Sequence, residues 1–150
     1  MEIIMLDHVE TMFDNISDML IKLKKKSYEK NMEGFLERNQ SYFDEMTHYV
    51  ETQDDKEVAS AEIAGLLADA AENRFAGSNG KIKSRQQADL NFFMIYYTFP
   101  AILLTENENA NLIAQSICDE WGKRFKDSKI SYTDYDSIYS KFNEKIFGIF

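Results

Sequence analysis

The only two histidines of the 150-residue sequence are His8 and His48, and Glu45 precedes the second by three positions. On a helix, this Glu-x-x-His spacing places a carboxylate and an imidazole on one face, where both can bind the same metal ion. If the first two predicted helices form a hairpin, His8 lies within about one turn of Glu45 and His48. Di-iron bundles use two such pairs, and no second pair accompanies His8. These three residues are a candidate metal site, although an ordinary surface pair of histidines explains the pattern more simply.

A second set of candidate residues lies in the most apolar stretch of the sequence, ADLNFFMIYYTFPAILL at positions 88–104. Polar side chains recur in and around this stretch every seven positions, which places them on one narrow stripe of a helix: Ser84, Asn91, Thr98 and Thr105. The stripe is either the only solvated edge of the helix or, at Asn91 and Thr98, a row of groups that hydrogen-bond to a partner helix or a ligand. The solvated edge is the simpler interpretation.

Pro100, the only proline, interrupts the same stretch. Because a proline has no N–H, the carbonyl of Tyr96 loses its helical partner, and the preceding residue, Phe99, is pushed away from the helical conformation. The sequence therefore predicts a kink, or a full break capped by Thr98. An aromatic pocket at the kink would suit a hydrophobic small molecule, and a fully packed core is the alternative. The candidate ligand-binding residues are Asn91, Tyr96, Tyr97 and Thr98.

Amphipathic helices before this stretch must position the candidate residues. Apolar side chains recur every three or four positions over residues 2–25 and again over 28–52. A very short link separates these two helices, which predicts an antiparallel hairpin, and one uninterrupted helix is the alternative. A third helix is predicted to begin at an acidic capping box, Asp54 with Glu57, and to end at Gly77 in a left-handed cap. Its many alanines predict close packing against the central helix.

The central helix and the helix after it carry their own start signals. Ser84 with Gln87, and Thr105 with Glu108, each fit a capping box at a helix N-terminus. Trp121 lies on the apolar face of the helix after Thr105 and is predicted to be a core anchor rather than a binding residue. A last amphipathic helix is predicted from about Ser131 to the C-terminus.

The composition excludes several classes of partner. Acidic residues outnumber basic ones by 26 to 17, and the resulting net charge of −9 argues against binding to nucleic acid or to anionic lipid. It would suit a basic or helical protein partner. Lys81, Lys83 and Arg85 form a small basic patch, but the glycine-rich pattern of a phosphate-binding loop is missing, so we expect a solvated loop.

The apolar stretch is about the minimum length for a membrane span. Its proline, Asp89 and two mid-segment tyrosines favour a core helix instead, so we expect no membrane contact. One cysteine, Cys118, excludes an intramolecular disulfide, and the N-terminus lacks the basic and apolar regions of a signal peptide. These features predict a cytoplasmic protein with a structural cysteine.

Only 6 glycines and 1 proline favour a small number of long helices. We therefore predict an all-α fold: a single domain over residues 1–150, built as an antiparallel bundle of five to six helices around a central apolar helix at about 85–104, kinked at Pro100. No cofactor is predicted.

The apolar helix faces outnumber what one central helix can cover, and leftover apolar surface usually marks an interface. The leading hypothesis is a non-enzymatic interaction protein that forms a homodimer, with an apolar C-terminal interface at Ile146, Phe147, Ile149 and Phe150. The alternatives are a bundle that binds a hydrophobic ligand and a metal-dependent enzyme that uses His8, Glu45 and His48.

Overall fold

The computed structural model describes residues 28–125 and Ile130, and every regular element among them is helical. The elements are α1 (Tyr28–Thr52), α2 (Lys56–Phe75), α3 (Ser84–Phe93), a π-helical turn (Met94–Thr98), α4 (Phe99–Leu103) and α5 (Ala110–Arg124). We call α3, the π turn and α4 together the central helix, because they follow one another without a gap. The all-α fold class is confirmed for this part of the chain. The first and last predicted helices, and hence the hairpin, lie outside the described residues, and the complete bundle stays a prediction.

Helix α1 packs against the central helix through aromatic rings. Phe35 lies in edge contact with Phe93 and Tyr97, at centroid distances of 5.4 and 5.5 Å. Further along both helices, the Gln40 side-chain amide donates to the carbonyl of Ala101 at 3.2 Å. The two helices therefore run in the same direction where they touch, because higher residue numbers on α1 meet higher numbers on the central helix.

The alanine-rich helix α2 makes its most extensive contacts with α5. Five of its alanines are buried: Ala59, Ala64, Ala68, Ala70 and Ala71. Small side chains allow two helix backbones to approach closely, and α5 offers the equally buried Ala114. The predicted close packing of these alanines against the central helix is wrong, because α2 contacts mainly α5.

Helix α2 begins one residue later than its predicted capping box. Asp55 is the N-cap, and its carboxylate accepts a hydrogen bond from the backbone N–H of Val58 at 3.1 Å. The proposed box of Asp54 with Glu57 is wrong. Two adjacent aspartates offer the same chemistry, and the extended backbone conformation at Asp55 decides between them.

Neither of the other two predicted capping boxes forms. The central helix begins at Ser84 with Lys83 as its N-cap, and no side chain caps it; the Gln87 amide donates to Asn91 instead. Helix α5 begins only at Ala110. The Thr105 hydroxyl bonds backwards to the carbonyl of Ile102 at 2.6 Å, so it closes the preceding helix rather than opening the next.

The central helix continues through Pro100 without a break. The N–H of Phe99 donates to the carbonyl of Met94, five residues back, which is the bonding pattern of a π-helix. Phe99 itself keeps a helical conformation (φ −64°, ψ −45°). The prediction that Phe99 leaves the helical region, with a break capped by Thr98, is therefore wrong. The wider π turn accommodates a residue that has no N–H to donate.

The loop between α2 and the central helix turns at Asn79–Gly80, as predicted. The Gly80 N–H donates to the carbonyl of Gly77 at 2.9 Å, and Gly80 has a left-handed φ of 75°. The predicted left-handed cap at Gly77 is wrong, since α2 ends in an extended residue, Ala76. The left-handed conformation is found at Gly80, three residues after Gly77.

Two glycines should respond in opposite ways to alanine. Gly65 lies inside α2, and a Cβ there would meet no atom within 4 Å. Gly65→Ala is therefore expected to raise the free energy of unfolding by about 0.5–1 kcal/mol. Gly80→Ala places a Cβ at positive φ and is expected to lower it by about 1 kcal/mol. Urea unfolding followed by circular dichroism measures both, and changes of the same sign would contradict these assignments.

Among the described residues, no helix combines the length and the apolar character that crossing a bilayer requires.

Candidate functional site

Two of the three candidate metal ligands fall in the described part of the chain. Glu45 and His48 lie one turn apart on α1, where His48 is exposed and Glu45 is partly buried. His8 lies outside the described residues. Within residues 28–125 and Ile130, no group of three or more His, Cys, Asp or Glu side chains is arranged to hold a metal ion. A metal site at these positions thus stays a prediction that depends on His8.

The polar stripe of the central helix is not a solvated edge. Asn91 is only 7% exposed and Thr98 is fully buried, whereas Ser84 at the start of the helix is exposed. The simpler interpretation of the heptad spacing is therefore wrong in the middle of the stripe. Spacing along one helix shows which residues share a face, but the neighbouring helices decide whether that face is covered.

Asn91 is the centre of a buried polar network. Its side-chain oxygen accepts from the indole N–H of Trp121 at 3.2 Å and from the amide of Gln87 at 2.9 Å. The first bond joins the central helix to α5, so Asn91 hydrogen-bonds to a partner helix. Trp121 is fully buried, as a core anchor should be. Gln87, which the sequence predicts as a capping residue with Ser84, instead pairs with Asn91, four positions along the same helix.

Thr98 lies in the π turn, and its hydroxyl has no hydrogen-bond partner among the described residues. Because Pro100 has no N–H, the carbonyls of Ile95 and Tyr96 receive no hydrogen bond from it. The turn thus combines a buried hydroxyl with weakened backbone bonding. Ligand binding at this turn stays a prediction.

Aromatic rings fill the space around Tyr97. Its ring stacks on Phe93 at a centroid distance of 5.7 Å and contacts the edge of Phe35 at 5.5 Å. Burial raises the pKa of the Tyr97 phenol, which therefore stays protonated at physiological pH. Around Tyr97, the packing agrees with the alternative of a fully packed core.

The central helix also carries a stacked pair of aromatic rings, of which one is exposed and one is partly buried. Phe92 is 37% exposed and stacks on the partly buried Tyr96, with ring centroids 4.3 Å apart and planes inclined by 21°. We call Phe92 and Tyr96 the aromatic patch. The candidate interface residues Ile146, Phe147, Ile149 and Phe150 lie outside the described residues, so the patch is a second place where apolar surface is available.

A cleft of about 510 Å³ lies at the N-terminal end of the central helix. We call it the loop cleft, because the loop between α2 and α3 supplies half of its lining. The polar side chains on its walls are Glu72, Asn79, Lys81, Lys83, Ser84, Gln87 and Arg124. None of the four candidate ligand-binding residues lines this cleft.

Arg124 holds α2 and α5 together at the edge of the loop cleft. Its guanidinium binds Asp69 at 2.6 Å and Glu72 at 3.1 Å on α2, and Glu120 at 2.9 Å on its own helix. The hydrogen bond to Asp69, followed by those to Glu72 and Glu120, raises the pKa of Arg124. Three carboxylates thus neutralise this arginine, and little of its charge remains for a ligand.

No protein-family model matches the chain, and neither a curated protein nor a solved structure is similar to it. Function must therefore be argued from local features of the described residues, above all from the aromatic patch.

Proposed function

We propose that this chain is a non-enzymatic interaction protein that forms a homodimer through the aromatic patch on its central helix. The observation that supports the proposal is the exposure of Phe92 beside Tyr96. An exposed ring stacked on a partly buried one offers an apolar surface, and aromatic residues are enriched in the centres of protein interfaces.

The surroundings of Phe92 strengthen this interpretation. Among the described residues, Val58 and Phe92 are the large apolar side chains that are exposed, and the others are buried or partly buried. Val58 lies in the first turn of α2, where Asp55 caps the helix. Phe92 instead lies in the middle of the most apolar helix, next to a second aromatic ring. A second copy of the chain would remove both rings from water.

We expect Phe92→Ser to weaken dimerisation at least about 30-fold, because truncation of an interface hot spot costs about 2 kcal/mol or more. Sedimentation velocity over a micromolar concentration series measures the dissociation constants of the wild-type chain and the variant. Because the Phe92 ring is partly exposed, the variant should keep its helical circular dichroism spectrum.

Val58→Ser is the matched control, since it removes the other exposed large apolar side chain of the described residues, which lies on a different helix. It should leave the dissociation constant unchanged. A wild-type chain that is monomeric at micromolar concentration would overturn the proposal. A dimer that tolerates Phe92→Ser would show that the interface lies elsewhere.

A further inference from the structure

We propose that the two copies of the homodimer join antiparallel α3 helices, with Arg85 of each copy paired to Asp89 of the partner subunit. This inference deepens the proposed function and rests on it, because it names the contacts that orient the two copies at the aromatic patch. It is carried by a pair of opposite charges that lie on the same stripe of α3 as Phe92 and that have no ionic partner among the described residues.

The stripe contains both charges and the exposed ring. Arg85, Asp89 and Phe92 are separated by four and then three positions, so their side chains leave α3 in nearly the same direction. All three are exposed, and so is the small side chain of Ala88 beside them. Packed helices have axes about 8–10 Å apart, and a small residue at the contact allows close approach. A second helix that covers Phe92 would therefore also extend over the charges one and two turns before it.

The charges of Arg85 and Asp89 are not used within the described part of the chain. Neither side chain makes an ion pair or a hydrogen bond there, although the two lie one turn apart on the same helix. A basic residue that precedes an acidic one by four positions is the less favourable order for pairing within a helix. Both groups are therefore available to a second molecule.

The symmetry of a homodimer decides how these charges can pair. In an interface with two-fold symmetry, both copies contribute the same surface, and each contact between two different residues occurs twice. Parallel α3 helices would place Arg85 opposite Arg85 and Asp89 opposite Asp89, which is repulsive. Antiparallel helices give two pairs of opposite charge instead. Because each chain has a net charge of −9, two copies repel each other in general, and a locally complementary stripe is the surface on which they can meet.

Charge reversal tests this orientation in the full chain. Arg85→Asp and Asp89→Arg, each alone, replace two attractions by two repulsions, and each should weaken dimerisation at least about tenfold in sedimentation velocity. The double variant Arg85→Asp, Asp89→Arg restores opposite charges and should return the dissociation constant to within about threefold of the wild-type value. Asp89→Arg is the sharper single variant. It makes the chain less acidic, so general repulsion alone would predict a tighter dimer.

Glu37→Arg is the matched control, because it makes the same change of charge at an exposed position on α1. It should not weaken dimerisation, and all variants should keep the helical circular dichroism spectrum of the wild type. A wild-type chain that is monomeric would overturn this inference together with the proposed function. A dimer that Phe92→Ser weakens, but that tolerates both single reversals or is not restored by the double variant, would overturn the antiparallel pairing alone.

Discussion

Replacing Trp121 by alanine is expected to lower the free energy of unfolding by about 3–5 kcal/mol. The side chain is fully buried, and its ring lies edge-on to Phe125 at a centroid distance of 4.8 Å. The substitution would leave a large cavity between helices and would also remove a donor from Asn91. Because domains of this size are stable by about 5–15 kcal/mol in total, the variant should lose a large share of its stability.

Far-ultraviolet circular dichroism in urea is the appropriate measurement, because the substitution removes the only tryptophan and its fluorescence. Trp121→Phe keeps most of the apolar volume but not the N–H, so its loss should be clearly smaller. Asn111→Ala is the control on the same helix. Asn111 is exposed, and substitutions at such positions change stability by about 0.5 kcal/mol or less. A loss near zero for Trp121→Ala would contradict the position of Trp121 in the core.

Phe35→Ala is expected to cost a similar amount, about 3–5 kcal/mol, for a different reason. Phe35 is 1% exposed and contacts three other aromatic rings: Phe43, Phe93 and Tyr97. It is one of the side chains through which α1 contacts the central helix, and its truncation loses both buried area and favourable edge contacts between rings. The same urea titration measures the change, and here the fluorescence of Trp121 is available as a second probe.

Phe35→Leu and Glu37→Ala serve as the matched pair for this second experiment. Leucine retains much of the buried volume, and its loss should fall between those of the wild type and Phe35→Ala. Glu37 is exposed on the same helix, so its replacement should have little effect. If Phe35→Ala were no more destabilising than Glu37→Ala, the packing of α1 on the central helix would be wrong.

The fold class could be predicted because helical periodicity is repeated many times along the sequence, as over residues 28–52. The side-chain caps of the later helices could not, because each depends on one local choice. Asp54 and Asp55 have the same side chain, and only the backbone geometry selects the second as the cap. Thr105 has a carbonyl within reach behind it at Ile102 and uses that instead of opening the next helix.

The polar network and the loop cleft could not be predicted for a different reason: the residues that form them lie far apart along the chain. Asn91 meets Trp121, 30 positions away, and no spacing within one helix encodes that pairing. The cleft needs α2, the loop, α3 and the end of α5 in place together. The sequence predicts a basic patch that includes Lys81 and Lys83, but it does not predict the concave wall opposite them.

The π turn at Met94–Thr98 changes the directions in which side chains leave the central helix before and after it. A π turn is equivalent to one residue inserted into an α-helix, and each helical residue rotates the chain by about 100°. The faces of α3 and α4 are therefore offset by about that angle from a uniform α-helix. With this offset, Phe93 and Tyr97 reach Phe35 while Ala101 reaches Gln40. The inserted residue therefore allows one helix to contact α1 at Phe35 and again, further along, at Gln40.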